Sequence, residues 1–135
     1  MQAHYHSDII WTIDNFLSSR ECEDLMILSE YQGYEEAKVS LPSGAKMIKG
    51  LRNNYRLMHE DSDLSNTYWE KLKAFCPTQL DDSKPIGLNP LFRFYKYDSS
   101  QRFKRHIDGR FKIDGFTESR ITFCLLYTSP SPRDA

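Results

Sequence analysis

His106-Ile107-Asp108 is the spacing in this chain best suited to hold a metal ion. Side chains two apart on a β-strand leave the same face, so an imidazole and a carboxylate placed this way can reach one ion together. Joined by a second histidine from elsewhere, they would form a 2-His-1-carboxylate facial triad, whose three open positions suit Fe(II) for binding substrate and O2. Alone the spacing is a weak signal, because a surface histidine beside a turn aspartate before Gly109 has the same letters. His4 and His6 share a His-x-His spacing but sit at a terminus expected to fray, so they are poor ligand candidates.

The elements that must position such a pair follow from patterning. Residues 8–17 alternate at Ile9, Trp11 and Ile13 and read as a strand running into a turn at Asp14-Asn15. Ser18 or Ser19 then caps a helix with acidic residues in its first turns and an apolar stripe of Cys22, Leu25, Met26 and Leu28, ending at Gly33. Residues 35–41 and 53–58 read as strands around a turn at Pro42-Ser43-Gly44. Asp61-Ser62-Asp63 caps a second helix carrying Leu64, Tyr68, Trp69, Leu72 and Phe75, closed by Pro77. After a polar loop over 78–85, residues 88–97 form an aromatic, alternating strand with turn residues Asp98-Ser99-Ser100, and 103–108 and 119–123 read as two more strands. Two helices with scattered strands, then strands without helices, argue for an α+β, mainly β domain rather than alternating βαβ units.

Composition narrows the function classes. The chain has 135 residues, 39% hydrophobic and 27% charged, which is one domain's worth of globular sequence. No window approaches the ~18 apolar residues of a membrane span, so no membrane partner is expected. Eighteen Lys+Arg against nineteen Asp+Glu leave a net charge of -1, so any nucleic-acid claim must rest on a local patch. The one candidate is Arg102, Lys104, Arg105, Arg110 and Lys112, interleaved with Phe103 and Phe111, for which a solvated face or an attractor of small anions is the simpler account. The N-terminus has no basic and apolar run of the secretory kind, so an intracellular, cytoplasmic setting is expected. Cys22, Cys76 and Cys124 form no close pair and are expected to be small buried hydrophobes. Neither a Gly-rich phosphate loop nor a nucleophile elbow occurs.

The flanks of the His-x-Asp pair change its weight. Leu88-Asn89-Pro90-Leu91-Phe92-Arg93-Phe94-Tyr95-Lys96-Tyr97, followed by Gln101-Arg102-Phe103-Lys104-Arg105-His106-Ile107-Asp108-Gly109, resembles the first ligand strand of the prolyl-4-hydroxylase-like Fe(II)/2-oxoglutarate dioxygenases. Asn15-Phe16-Leu17-Ser18-Ser19-Arg20-Glu21-Cys22 resembles the opening of that family's first helix, and Arg52-Asn53-Asn54 with Arg56 is similar to its middle segment. The resemblance covers residues 8–123, with Ser99-Ser100 standing where the family often has Pro-Gly.

The resemblance implies a double-stranded β-helix (jelly-roll) core with N-terminal helices, incomplete in this chain. It also implies Fe(II) held by His106, Asp108 and a distal histidine, with no catalytic residue beyond the metal ligands. Tyr97, nine residues before His106, matches the tyrosine that contacts the co-substrate 2-oxoglutarate; its alternative role is that of an aromatic core residue. In that family O2 oxidises 2-oxoglutarate to succinate and CO2 while a substrate C–H bond is hydroxylated, sometimes with ascorbate. The substrate would be a prolyl or other side chain of a protein or peptide. The distal histidine and the basic residue that pairs with 2-oxoglutarate have no match before Phe123. The chain as written would thus hold two of three protein ligands and is expected to be inactive and poorly stable.

Residues 124–134, Cys-Leu-Leu-Tyr-Thr-Ser-Pro-Ser-Pro-Arg-Asp, resemble one translated frame of a DNA-sequencing adaptor, and the two prolines stop the preceding β pattern. Residues 1–123 are therefore expected to be the N-terminal part of one dioxygenase domain, and 124–135 a non-native tail. The alternative from a different class is a non-enzymatic β-domain that binds a protein or nucleic-acid partner through its aromatic and basic strands. Arg52 and Arg56 would line a substrate mouth or be solvated, and the sequence does not choose between these.

Overall fold

The computed structural model describes residues 1–36, 39–41, 44–46, 55–97 and 111–127, of which 36, 39–41 and 44–46 are described as backbone. The expected strand over 103–108 lies outside them, as do His106, Asp108, Arg52, Asn53 and Asn54. The chain divides into two compact units, Met1–Lys104 and Arg105–Ala135. Among the described residues the architecture is α+β, with two α-helices and three small antiparallel sheets, and no helix is long and apolar enough to cross a membrane.

The first unit opens with a hairpin of β1 (Gln2–Tyr5) and β2 (Trp11–Asp14), paired from Gln2↔Asp14 to Tyr5↔Trp11. The N-terminus is thus held rather than frayed, because β1 supplies the hydrogen-bonding partner that β2 needs. The strand expected over 8–17 shrinks accordingly: Ser7 turns the chain by accepting from Ile10 N at 3.1 Å, and Asn15 adopts φ 57° to end β2. Ser18 caps α1 (Ser19–Gln32) in a capping box, accepting from Glu21 N at 3.1 Å while the Glu21 carboxylate accepts from Ser18 N at 3.0 Å. Those bonds hold the Glu21 carboxyl below its usual range.

The inward stripe of α1 is Cys22, Leu25 and Leu28, with Met26 exposed and Ser29 fully buried instead. Burial of Ser29 is tolerated because its hydroxyl donates to Met26 O and accepts from Tyr34 Oη, both at 2.8 Å. Gly33 terminates the helix at φ 90°, a value that disfavours any side chain, and its N–H donates to Ser29 O.

The strand expected over 35–41 is two strands in different sheets: β3 (Glu35–Glu36) pairs with β6, and β4 (Val39–Leu41) pairs with β5 (Gly44–Lys46). Strand β6 (Tyr55–Glu60) is central in the order β3-β6-β7, where β7 is Leu91–Lys96. Between them Asp61 caps α2 (Ser62–Leu72), accepting from Leu64 N at 2.9 Å, and a 3-10 turn (Lys73–Phe75) leads to Cys76-Pro77.

The core sits where α2 meets the sheet. Phe16, Tyr68 and Leu72 are its buried apolar side chains among the described residues. Tyr68 is edge-on to both Phe16 and Phe92, with centroids 5.9 Å apart in each case. Lys71 donates to Phe16 O and sits 4.7 Å above the same ring, tying α2 to the start of α1. Burial drives the Tyr68 phenol up to about 12 and pushes the Cys22 and Cys76 thiols up, though both cysteines are half-buried rather than buried as expected.

In the second unit residues 111–119 form a tight turn. Phe111 and Ser119 exchange bonds at 2.8 Å, and Asp114 Oδ1 accepts from Phe116 N and Thr117 N. The strand expected over 119–123 is not formed, and Ser119 is instead bonded to Phe111. Cys124 is exposed, unlike the buried residue expected.

Candidate functional site

The sheet β3-β6-β7 has two unlike faces. Directly opposed residues of antiparallel strands share a face, so the pairs Tyr55↔Lys96, Leu57↔Phe94 and His59↔Phe92 define one side. That side meets the helices: Phe92 packs on Tyr68, Phe94 on His59 at 6.2 Å, and Lys96 pairs with Glu30 of α1 at 2.9 Å. The pairs Arg56↔Tyr95 and Met58↔Arg93 define the other side, where Met58 is 41% and Tyr95 40% exposed. Tyr97 follows the last residue of β7, continues its alternation, and is 46% exposed. The tyrosine singled out from the sequence is thus outside the helix-packed core, on the same side as Tyr95 and Arg56 by alternation.

The remaining described histidines all have partners. His4 Nε2 is 2.9 Å from Asp14 Oδ2, and His6 Nε2 is 3.0 Å from the Thr12 hydroxyl. His59 lies between the Gln32 amide, 3.1 Å from Nδ1, and Asp61 Oδ2, 3.4 Å from Nε2. Among the described residues there is no group of three His, Cys, Asp or Glu side chains fit for a metal ion.

His59-Glu60-Asp61, like His6-Ser7-Asp8, is a further His-x-Asp spacing that sequence reasoning passed over. Its placement shows what that spacing does when it is not a ligand pair. Asp61 is committed to the start of α2, and the bond from Leu64 N leads the causes holding its carboxyl below the usual range. With the Gln32 amide donating to Nδ1, the Nε2 proton of His59 points to Asp61, so the ring joins the end of α1 to the start of α2.

Arg56 is the other residue of interest on this sheet. Its Nε is buried without a hydrogen-bond partner, and the side chain makes no ion pair among the described residues. It borders a cavity of about 430 Å³ lined by residues 32–35 and 56–58.

No family model, curated protein or solved structure matches this chain.

Proposed function

We propose that this chain carries the first ligand strand of an Fe(II)- and 2-oxoglutarate-dependent dioxygenase of the prolyl-4-hydroxylase-like kind, built on a double-stranded β-helix. What carries the reading is the ordered sequence pattern ending in Phe103-x-x-His106-x-Asp108, preceded by the aromatic strand with Tyr97. Two features of the structure support it. The capping box of α1 falls on Ser18 and Glu21, inside the segment that resembles the family's first helix. Among the described residues the helices pack on one side of the sheet, and by alternation Tyr97 falls on the other, where this reading would put the co-substrate.

His106 and Asp108 would hold the iron together with a histidine other than His4, His6 and His59, each of which is bonded elsewhere. One imidazole and one carboxylate are a donor set that suits Fe(II) once a second imidazole joins them. When bound, iron and 2-oxoglutarate supply O2-dependent hydroxylation of a substrate C–H bond, with succinate and CO2 as coproducts. Tyr97 would donate its phenol hydrogen to a carboxylate oxygen of 2-oxoglutarate, fixing the co-substrate's direction. Ascorbate would act only as an accessory reductant, and the substrate would be a protein or peptide side chain.

The decisive experiment is to read the source gene past the codon for Phe123 and assay the protein it encodes. A histidine some tens of residues on, an Arg or Lys shortly after it, and Fe(II)-dependent succinate release that His106→Ala abolishes would be the expected result. A reading frame without such a histidine, or turnover unchanged in His106→Ala, would overturn the assignment in favour of a β-domain that binds a partner. The exposed Met58 and Tyr95 on the helix-free face are what favours that second reading.

A further inference from the structure

The geometry points to a binding site for a small carboxylate at Arg56, argued without recourse to the iron chemistry proposed above. Three observations meet there. The guanidinium Nε–H is buried and has no acceptor among the described residues, an arrangement that costs free energy unless an acceptor is supplied from elsewhere. The side chain borders a cavity of about 430 Å³, within the range that holds small ligands. The cavity sits where the pairing of β3 with β6 ends at Glu35↔Arg56, and Gly33, Tyr34, Leu57 and Met58 complete its lining with Gln32.

The polar groups lining the cavity narrow the ligand class. Arg56 presents a planar fork that matches a carboxylate with two parallel bonds. Glu35 is directly opposite Arg56 in the register and lines the same cavity, yet the two side chains form no ion pair. A polyanion would face the Glu35 carboxylate and be repelled. A molecule with one carboxylate for Arg56 and an ammonium group for Glu35 would satisfy both, so an α-amino acid or the end of a short peptide fits better than phosphate or a simple organic acid. The Gln32 carboxamide at the rim is already bonded to His59, which leaves Arg56 and Glu35 as the selecting pair.

The test uses the full chain and nuclear magnetic resonance of the arginine Nε–H groups, titrated with glycine, acetate, inorganic phosphate and methylamine. Glycine is expected to move the Arg56 resonance saturably, acetate about tenfold more weakly, and methylamine not at all. Arg56→Lys keeps the charge but loses the fork, and is expected to weaken glycine at least about tenfold with an unchanged circular dichroism spectrum. Glu35→Gln is expected to erase the preference for glycine over acetate. The site is refuted by an Arg56 resonance that glycine does not shift up to about 10 mM. It is equally refuted if Glu35→Gln moves that resonance without ligand, which would show the two side chains paired with each other. Equal shifts by phosphate in the native chain and in Arg56→Lys would reduce the effect to unspecific charge and would also overturn it.

Discussion

Tyr68 on α2 and Tyr97 just beyond β7 show how far one residue type can differ in consequence within one small chain. Tyr68 is 3% exposed and joins Phe16 to Phe92, so Tyr68→Ala should cost roughly 3–5 kcal/mol, read as a lowered denaturant midpoint. Its phenol has a second signature. In the unfolded chain it ionises near pH 10 and in the folded chain near 12, so the folded state holds the proton longer and stability should fall as pH rises through that window. An alkaline series of thermal melts checks this, and Tyr68→Phe should flatten it. Tyr97 is 46% exposed, so Tyr97→Phe should lower the melting temperature less than Tyr68→Ala does. Under the dioxygenase function proposed above, Tyr97→Phe should raise KM for 2-oxoglutarate about tenfold, the worth of one hydrogen bond to a charged group. A drop in melting temperature with KM unchanged would assign Tyr97 to packing instead.

At the scale of elements, the two helix starts are the best-determined features. Ser18→Ala removes one side of the α1 capping box and should destabilise the chain by about 1 kcal/mol, seen in urea unfolding. Asp61 makes α2 sensitive to acid. Its carboxyl lies below the usual range in the folded chain, so the stability it contributes is present above the unfolded value and is lost as pH falls through the folded one. Asp61→Asn retains a capping group without the charge and should flatten the acid limb of the melting curve while preserving helicity at neutral pH. Both starts were legible because capping is a contact within four residues and needs no tertiary partner. Strands were less legible. Residues 35–41 alternate like one strand, but β3 and β4 take different partners, and a strand's limits are set by where its neighbour's hydrogen bonds end.

For the whole molecule, the expected division lies at the adaptor-like tail. If residues 124–135 contribute nothing to folding, a chain ending at Phe123 should melt within about 0.5 kcal/mol of the full chain. A larger loss would show that Leu125, Leu126 or Tyr127 packs productively. Met58 and Tyr95 expose apolar surface on the helix-free face, so fluorescent dye binding there should be visible in the native state.

By itself the sequence determined what depends on neighbours along the chain: both caps, the glycine exit at Gly33, the α+β class, and the His106-x-Asp108 spacing with its aromatic approach. These are short-range facts, written in residue type and period. Only the tertiary structure decided what depends on partners far along the chain. It held the N-terminus by pairing β1 with β2, and it turned His59 into a link between Gln32 and Asp61 rather than a ligand. It also placed Tyr97 beyond the helix-packed side of its sheet and left the Arg56 Nε buried without an acceptor. The reason is physical: hydrogen-bond partners and solvent exposure are properties of which segments come together, and one segment's letters do not record its partner.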